Sequence, residues 1–172
     1  MVKVGINGFG RIGRLILRAL LENFKGKIQV VGINDLGSIE ANAHLIKFDS
    51  THGTLNHDVR TTKDGFHIGD QNIKVFAERD PAKLPWGKIG ADVVLECTGF
   101  FLDKKTAGKH IEAGAKKVII SAPAKEVDFT VVQGVNSKDL KQEHNIISNG
   151  SCTTNCLAPV AMVLENTFGI EY

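Results

Sequence analysis

Apolar positions in the first fifty residues alternate between two periods. VKVGIN (2–7) is a short, nearly continuous apolar run that ends in a polar residue, the pattern of a strand covered on both faces. RIGRLILRALLEN (11–23) instead carries Ile12, Leu15, Ile16, Ala19 and Leu20 at helical spacing. IQVVGIN (28–34) predicts a second strand and IEANAHLIKF (39–48) a second helix. From about residue 54 to 76 the pattern breaks into DVRTT, GFHIG and NIKVFAE, short strands between polar turns, which predicts an antiparallel insert. The alternation then resumes. ADVVLECTG (91–99) predicts a strand, KKTAGKHIEAGA (104–115) a helix, and KKVIISAPA (116–124), DFTVVQGVN (128–136) and HNIISNG (144–150) further strands. A last helix is expected to start near Ser151.

Strand and helix in alternation imply a parallel sheet with helices on both faces. The expected class is α/β, a Rossmann-type doubly wound, mostly parallel sheet with a small antiparallel insert. A length of 172 residues suits one such core. The 21 Lys+Arg nearly balance the 19 Asp+Glu, which argues against nucleic acid or an anionic membrane as the main partner. No apolar stretch approaches the roughly 20 residues of a membrane span. MVKVGINGFG lacks the basic flank and apolar run of a secretory leader, so a cytoplasmic setting is expected. The cysteines, Cys97, Cys152 and Cys156, are odd in number and show no CxxC spacing, so neither a disulfide framework nor a metal site is expected. Cys97 and Cys156 read as small buried thiols, and His44, His57, His67, His110 and His144 as surface or packing residues.

Gly8-Phe9-Gly10-Arg11-Ile12-Gly13 is a full GxGxxG between a predicted strand and a predicted helix, the setting in which the motif is informative. Gly8 permits the tight turn, Gly10 lets the backbone approach a pyrophosphate, and Gly13 lets the helix lie close to the sheet. The helix start offers free N–H groups and a partial positive charge to phosphates. Asp35 closes the second strand about 20 residues further on, where a carboxylate meets an adenosine ribose. The alternative for Asp35 is a helix N-cap. A carboxylate there repels a 2′-phosphate, and no Arg or Lys lies between Asp35 and Lys47, so NAD is favoured over NADP.

SCTTNC (151–156) sits where strand IISNG gives way to the last helix. Free N–H groups at a helix start favour an anionic sulfur on Cys152, and Ser151 and Thr153 add hydroxyls suited to an anion. The competing reading is an ordinary capped helix with core cysteines. Beside a dinucleotide site a thiolate gains a use, because its attack on an aldehyde prepares that carbon for oxidation. Asp49-Ser50-Thr51-His52 reads as a polar loop, since neighbours in sequence seldom converge as a triad.

INGFGRIGR, IND (33–35), FDSTHG, WGKIGADVVLECTGFF, SAPA (121–124) and SNGSCTTNC together closely resemble the phosphorylating glyceraldehyde-3-phosphate dehydrogenases, from Met1 to Tyr172. The resemblance implies glycolytic, NAD-dependent oxidation of D-glyceraldehyde 3-phosphate with inorganic phosphate to 1,3-bisphosphoglycerate. It implies Cys152 as nucleophile and Ser151 and Thr153 at the phosphate site. Asn7, Gly8, Gly10, Arg11 and Ile12 match the pyrophosphate turn, and Asp35 the ribose ligand. Arg79, Thr98, Gly99 and Ser121 match residues along the adenine and nicotinamide path. Residues 1–150 then form the NAD-binding domain and 151–172 the start of a catalytic domain. The family runs to about twice this length, is tetrameric, and keeps its catalytic His, its substrate-binding Arg and Thr and its nicotinamide-orienting Asn beyond Tyr172. Alone, the 172 residues are therefore expected to be inactive. Gly150 stands where the family usually has Ala, for which a small effect is expected. Two other readings stay open: an erythrose-4-phosphate dehydrogenase, which more often has Glu after the Asn of the second strand, and a nucleotide- or RNA-binding module without turnover.

Overall fold

In the computed structural model, which describes residues 1–171, the chain runs β1 (Val2–Asn7), α1 (Arg11–Asn23), β2 (Ile28–Asn34), α2 (Ile39–Lys47), a two-residue ribbon of β3 (Phe48–Asp49) and β4 (Gly53–Thr54), then β5 (Val59–Thr62), β6 (Gly65–Ile68) and β7 (Gln71–Phe76). Then come α3 (Trp86–Ile89), β8 (Val93–Glu96), α4 (Lys104–Ala107), α5 (Lys109–Glu112), β9 (Lys117–Ile120), β10 (Phe129–Thr130), β11 (Ile146–Ser148) and α6 (Cys152–Phe168). One sheet takes every strand but the ribbon, in the order β10-β11-β9-β8-β1-β2-β7-β6-β5. From β7 to β11 all neighbours are parallel. That run has the doubly wound order, with the winding reversing at β1.

The expected insert is present, but it extends the main sheet. β5, β6 and β7 are joined antiparallel, and β7 continues parallel beside β2. Three other expectations change. The helix expected over 104–115 is two short helices meeting at Gly108, where a Cβ would lie 2.8 Å from the Lys104 carbonyl oxygen. The strand expected over 128–136 pairs only at Phe129–Thr130, because Asn136 folds back to hydrogen-bond Val132 N–H and the Thr130 carbonyl. Cys156 is exposed, not a small buried thiol, because no residue of α6 is buried.

The core has two principal faces. Val4, Ile6, Val30 and Ile33 pack with Leu17 and Leu21 of α1, Ile46 of α2 and Phe66, Ile68 and Ile73 of the hairpins. On the opposite face Trp86, fully buried, heads a cluster with Leu84, Ala91, Val94 and Ala115. Its indole packs against β1, where a Cβ at Gly5 would come within 2.6 Å of the ring. Glycine inside a strand thus marks a close approach. Arg18 of α1 donates to the carbonyls of Ile46, Lys47 and Gly53, tying the C-terminal end of α2 to α1.

Candidate active site

The strands β1, β2 and β8 end together at the point where the winding reverses, the place where doubly wound sheets open a crevice. β1 ends at Asn7 and the chain turns at Gly8, whose φ of 88° lies in the left-handed region. A Cβ at Gly8 would come 2.8 Å from the Thr98 nitrogen, so the turn admits no side chain. A Cβ at Gly13 would lie 2.2 Å from the Gly8 carbonyl oxygen, which is why α1 can start so close to β1. At Gly10 a Cβ would meet nothing within 4 Å, so the backbone there is open to a ligand. α1 begins at Arg11, and the first N–H groups of the helix have no partner within it. They offer an anion site at the mouth of the crevice.

Asp35 is bound into the same turn. Its Oδ2 accepts from Phe9 N–H at 2.9 Å and its Oδ1 from Gly37 N–H at 2.8 Å. Each carboxylate oxygen keeps acceptor capacity for a hydroxyl. Asp35 is not a helix cap, since Ser38 caps α2 by accepting from Ala41 N–H. The groove here has a volume of about 540 Å³. Of the residues singled out in the sequence, Asn7, Gly8, Gly10, Asp35, Arg79 and Thr98 line it. Asn34, Leu36, Glu78, Cys97, Phe100 and Phe101 complete the lining. Phe100 is 83% exposed at the rim, an aromatic face on which a flat ring can stack.

Arg11, Ile12, Gly99 and Ser121 lie outside that lining. Arg11 pairs with Asp49 at 2.9 Å. The His52 and Thr51 N–H groups, aided by Arg11, hold the Asp49 carboxyl well below the usual carboxylate range. The Asp49–His52 segment is thus the polar loop expected. Ile12 is exposed on the first turn of α1. Cys97 lines the groove, yet burial pushes its thiol up to about 12, against the opposing effect of a hydrogen bond with Ser121. It is a wall, not a nucleophile.

Cys152 follows the carboxyl end of β11, so it stands on the same sheet edge as the groove. With β8 and β9 between β1 and β11, the offset along the sheet is about 14 Å at ~4.8 Å per strand. Ser151 is the N-cap of α6, its Oγ accepting from Thr154 N–H at 2.9 Å. Thr153 Oγ1 lies 2.8 Å and Thr154 Oγ1 2.7 Å from the same oxygen, so three hydroxyls cluster at the helix start. Asn155 fixes the entry by donating to the carbonyls of Asn149 and Ser151. Gly150 takes a left-handed φ of 66°. Cys152 is exposed in the first turn, and among the described residues its sulfur has no hydrogen-bond partner.

A family model described as the glyceraldehyde 3-phosphate dehydrogenase NAD binding domain matches residues 2–104. The chain belongs to that family. Among curated relatives, the glyceraldehyde-3-phosphate dehydrogenase of Xanthobacter flavus is 55% identical over 170 residues, covering 99% of this chain and 51% of the relative. Glyceraldehyde-3-phosphate dehydrogenase 1 of Bacillus subtilis is 55% identical over 171 residues, 99% of this chain and 50% of the relative. The Zymomonas mobilis enzyme is 57% identical over 170 residues, 98% of this chain and 50% of the relative. The chain spans about half the length of the curated relatives it matches.

Its cofactor is NAD, and the groove fits it. The open Gly10 backbone and the start of α1 suit a diphosphate, Asp35 a ribose, and the Leu36–Phe100 rim a flat ring. Among the described residues no helix is long and apolar enough to cross a membrane, and no group of His, Cys, Asp and Glu has a metal-holding arrangement.

Proposed function

We propose that the chain is the cofactor-binding part of a phosphorylating D-glyceraldehyde-3-phosphate dehydrogenase, with residues 1–150 holding NAD and 151–172 opening the catalytic domain. The observation that carries this is Cys152, exposed in the first turn of α6, on the sheet edge that also bears the NAD groove. Asn7, Gly8, Gly10, Arg11 and Ile12 form the pyrophosphate turn, Asp35 binds the ribose, and Arg79, Thr98, Gly99 and Ser121 flank the rest of the cofactor. The Cys152 thiolate attacks the aldehyde carbon, forming a C–S bond while the carbonyl electron pair becomes an oxyanion. As the oxyanion re-forms the carbonyl, that carbon gives up its hydrogen with the bonding electron pair and is left as a thioester on Cys152; NAD in the groove would supply the acceptor for that hydride. An oxygen of inorganic phosphate then attacks the thioester, the C–S bond breaks, and the product leaves as the acyl phosphate 1,3-bisphosphoglycerate. Ser151 and Thr153 present hydroxyls to the attacking phosphate.

The full-length protein works as a cytoplasmic homotetramer. A general base for Cys152 comes from the length of the relatives that this chain does not span, because the sulfur has no partner among the described residues. The 172-residue chain alone therefore binds NAD without turnover. Calorimetric titration with NAD, followed by an NADH-formation assay with glyceraldehyde 3-phosphate, tests both halves of that statement. Binding without NADH formation is expected, and turnover by a homogeneous 172-residue chain would refute the second half. Asn34-Asp35 favours the triose over erythrose 4-phosphate, and parallel assays of the full-length protein with both sugars decide it.

A further inference from the structure

From the groove wall inward runs a row of buried polar side chains, in which the chemistry above gives no role to Glu96 or His110. Asn7, Asn34, Glu96 and His110 are at most 5% exposed. Glu96 ends β8 with both carboxylate oxygens engaged. Oε2 lies 2.6 Å from Asn7 Nδ2 and 3.0 Å from His110 Nε2. Oε1 accepts from Thr98 N–H at 2.7 Å and from the Thr98 hydroxyl. Four donors meet the two oxygens of this buried carboxyl group, whose hydrogen bonds are thereby satisfied.

Trp86 fixes the proton on His110. An indole N–H can only donate, and Trp86 Nε1 lies 2.9 Å from His110 Nδ1. Nδ1 is therefore the acceptor, Nε2 carries the hydrogen, and that hydrogen points at Glu96. On the other side, Asn34 Nδ2 donates to Asn7 Oδ1 at 2.7 Å, and Glu78 N–H donates to Asn34 Oδ1 at 2.8 Å. From both ends of the row a chain of donors leads to Glu96, with the Asn34 amide also donating outward to the Glu78 carbonyl at 2.8 Å. Two of its direct partners, Asn7 and Thr98, line the NAD groove.

We infer that Glu96, held by the Trp86–His110 pair, is the positioning residue that sets Asn7 and Thr98 for the cofactor. This rests on the reading of the groove as the NAD site. A merely structural anion would need donors but not donors drawn from the groove wall. An amide in place of the carboxylate carries two N–H groups, so one of its ends must face donors already pointing inward. Asn7 or Thr98 then has to turn, and the groove changes shape.

The test compares Glu96→Gln with Val118→Ala, a core change on β9 away from the groove, in the purified protein. Melting temperature and NAD dissociation constant are measured for each, below the melting transition. Glu96→Gln is expected to weaken NAD at least fivefold, while Val118→Ala lowers the melting temperature and leaves NAD affinity within twofold. A Glu96→Gln protein that binds NAD less than fivefold more weakly overturns the inference. Failure of the unaltered protein to bind NAD would instead sink the assignment of the groove itself. If Glu96→Gln does not fold, Trp86→Phe removes the donor to His110 Nδ1 while keeping most of the ring. The imidazole ¹⁵N shifts of His110 should then show a loss of the single Nε2–H tautomer, with NAD at least threefold weaker. A changed tautomer with a smaller change in affinity overturns the inference equally.

Discussion

Helices α1 and α6 each follow the carboxyl end of a parallel strand and each offers an N-terminus to the same sheet edge, but they are embedded differently. α1 buries Gly13, Leu17, Arg18 and Leu21, and its first turn is fitted against β1 to within an atom's width. α6 is longer, 17 residues, and buries none of them. Leu157, Val160, Leu164 and Phe168 fall on one face at helical spacing and all are exposed, Phe168 to 81%. Pro159 inside α6 also removes one helical hydrogen bond. Both helices are apolar enough to need a partner, and only α1 has one among the described residues. The helix that opens at the groove is thus packed against the sheet, whereas α6 presents an apolar stripe of the kind that further protein surface covers.

The largest expected effect strikes the finished side. Gly13→Val forces a side chain against the Gly8 carbonyl, and overpacking of this kind costs about 3 kcal/mol. Thermal unfolding should show a fall of about 6–12 °C, with NAD binding lost. A milder pair puts the same chemical change in both regions. Val94→Ala, fully buried on β8, should lower stability by about 2 kcal/mol. Val163→Ala on α6, 58% exposed, should stay within about 0.5 kcal/mol. Urea midpoints compare the two, and equal losses would mean that α6 is packed after all.

The same contrast explains what could be read from the sequence. The GxGxxG turn and Asp35 were legible because each job is local: a positive φ, a close approach, a carboxylate at a fixed distance along the chain. The α/β class followed from the alternation of periods in the same way. The row Trp86–His110–Glu96–Asn7–Asn34 was not legible, because its members come from separate elements and meet only when β1, β2 and β8 lie side by side. His110 passed as a packing residue. One sequence signal did point there: Gly5, a glycine inside a strand, lies under the Trp86 ring and leaves room for it. Cys156 is exposed for the converse reason, since an apolar helical pattern predicts burial only when a covering surface is present.

Thiol chemistry sharpens the comparison further. Iodoacetamide at neutral pH should label Cys152 fastest, Cys156 more slowly, and Cys97 hardly at all, as read by peptide mass mapping over time. Cys97 is held neutral by burial, with its thiol near 12. Because the folded thiol keeps its proton at a pH where the unfolded one loses it, stability falls as pH rises from about 9 toward 12. Equal labelling of Cys152 and Cys156 would mean that the start of α6 gives its first cysteine no advantage.

A smaller effect than those in the core concerns the outer strands that lead into α6. Asp128 anchors β10 to β11 by accepting from Asn145 N–H at 2.8 Å and Ile146 N–H at 2.9 Å, and it pairs with Lys104 at 2.6 Å. The Lys104 hydrogen bond, then the Ile146 backbone donor, hold its carboxyl down at about 2. A depressed carboxyl stabilises the fold above its ordinary value of 3.8 and loses that contribution as pH falls toward 2. At neutral pH Asp128→Asn should therefore cost about 1 kcal/mol, or a drop of about 2–4 °C in melting temperature. The gap to the unaltered protein should narrow as the solution is acidified through that window. A gap that stays constant down to pH 2 would show that the anchor works through shape and not through charge. The link between the sheet and α6 would then be indifferent to acid.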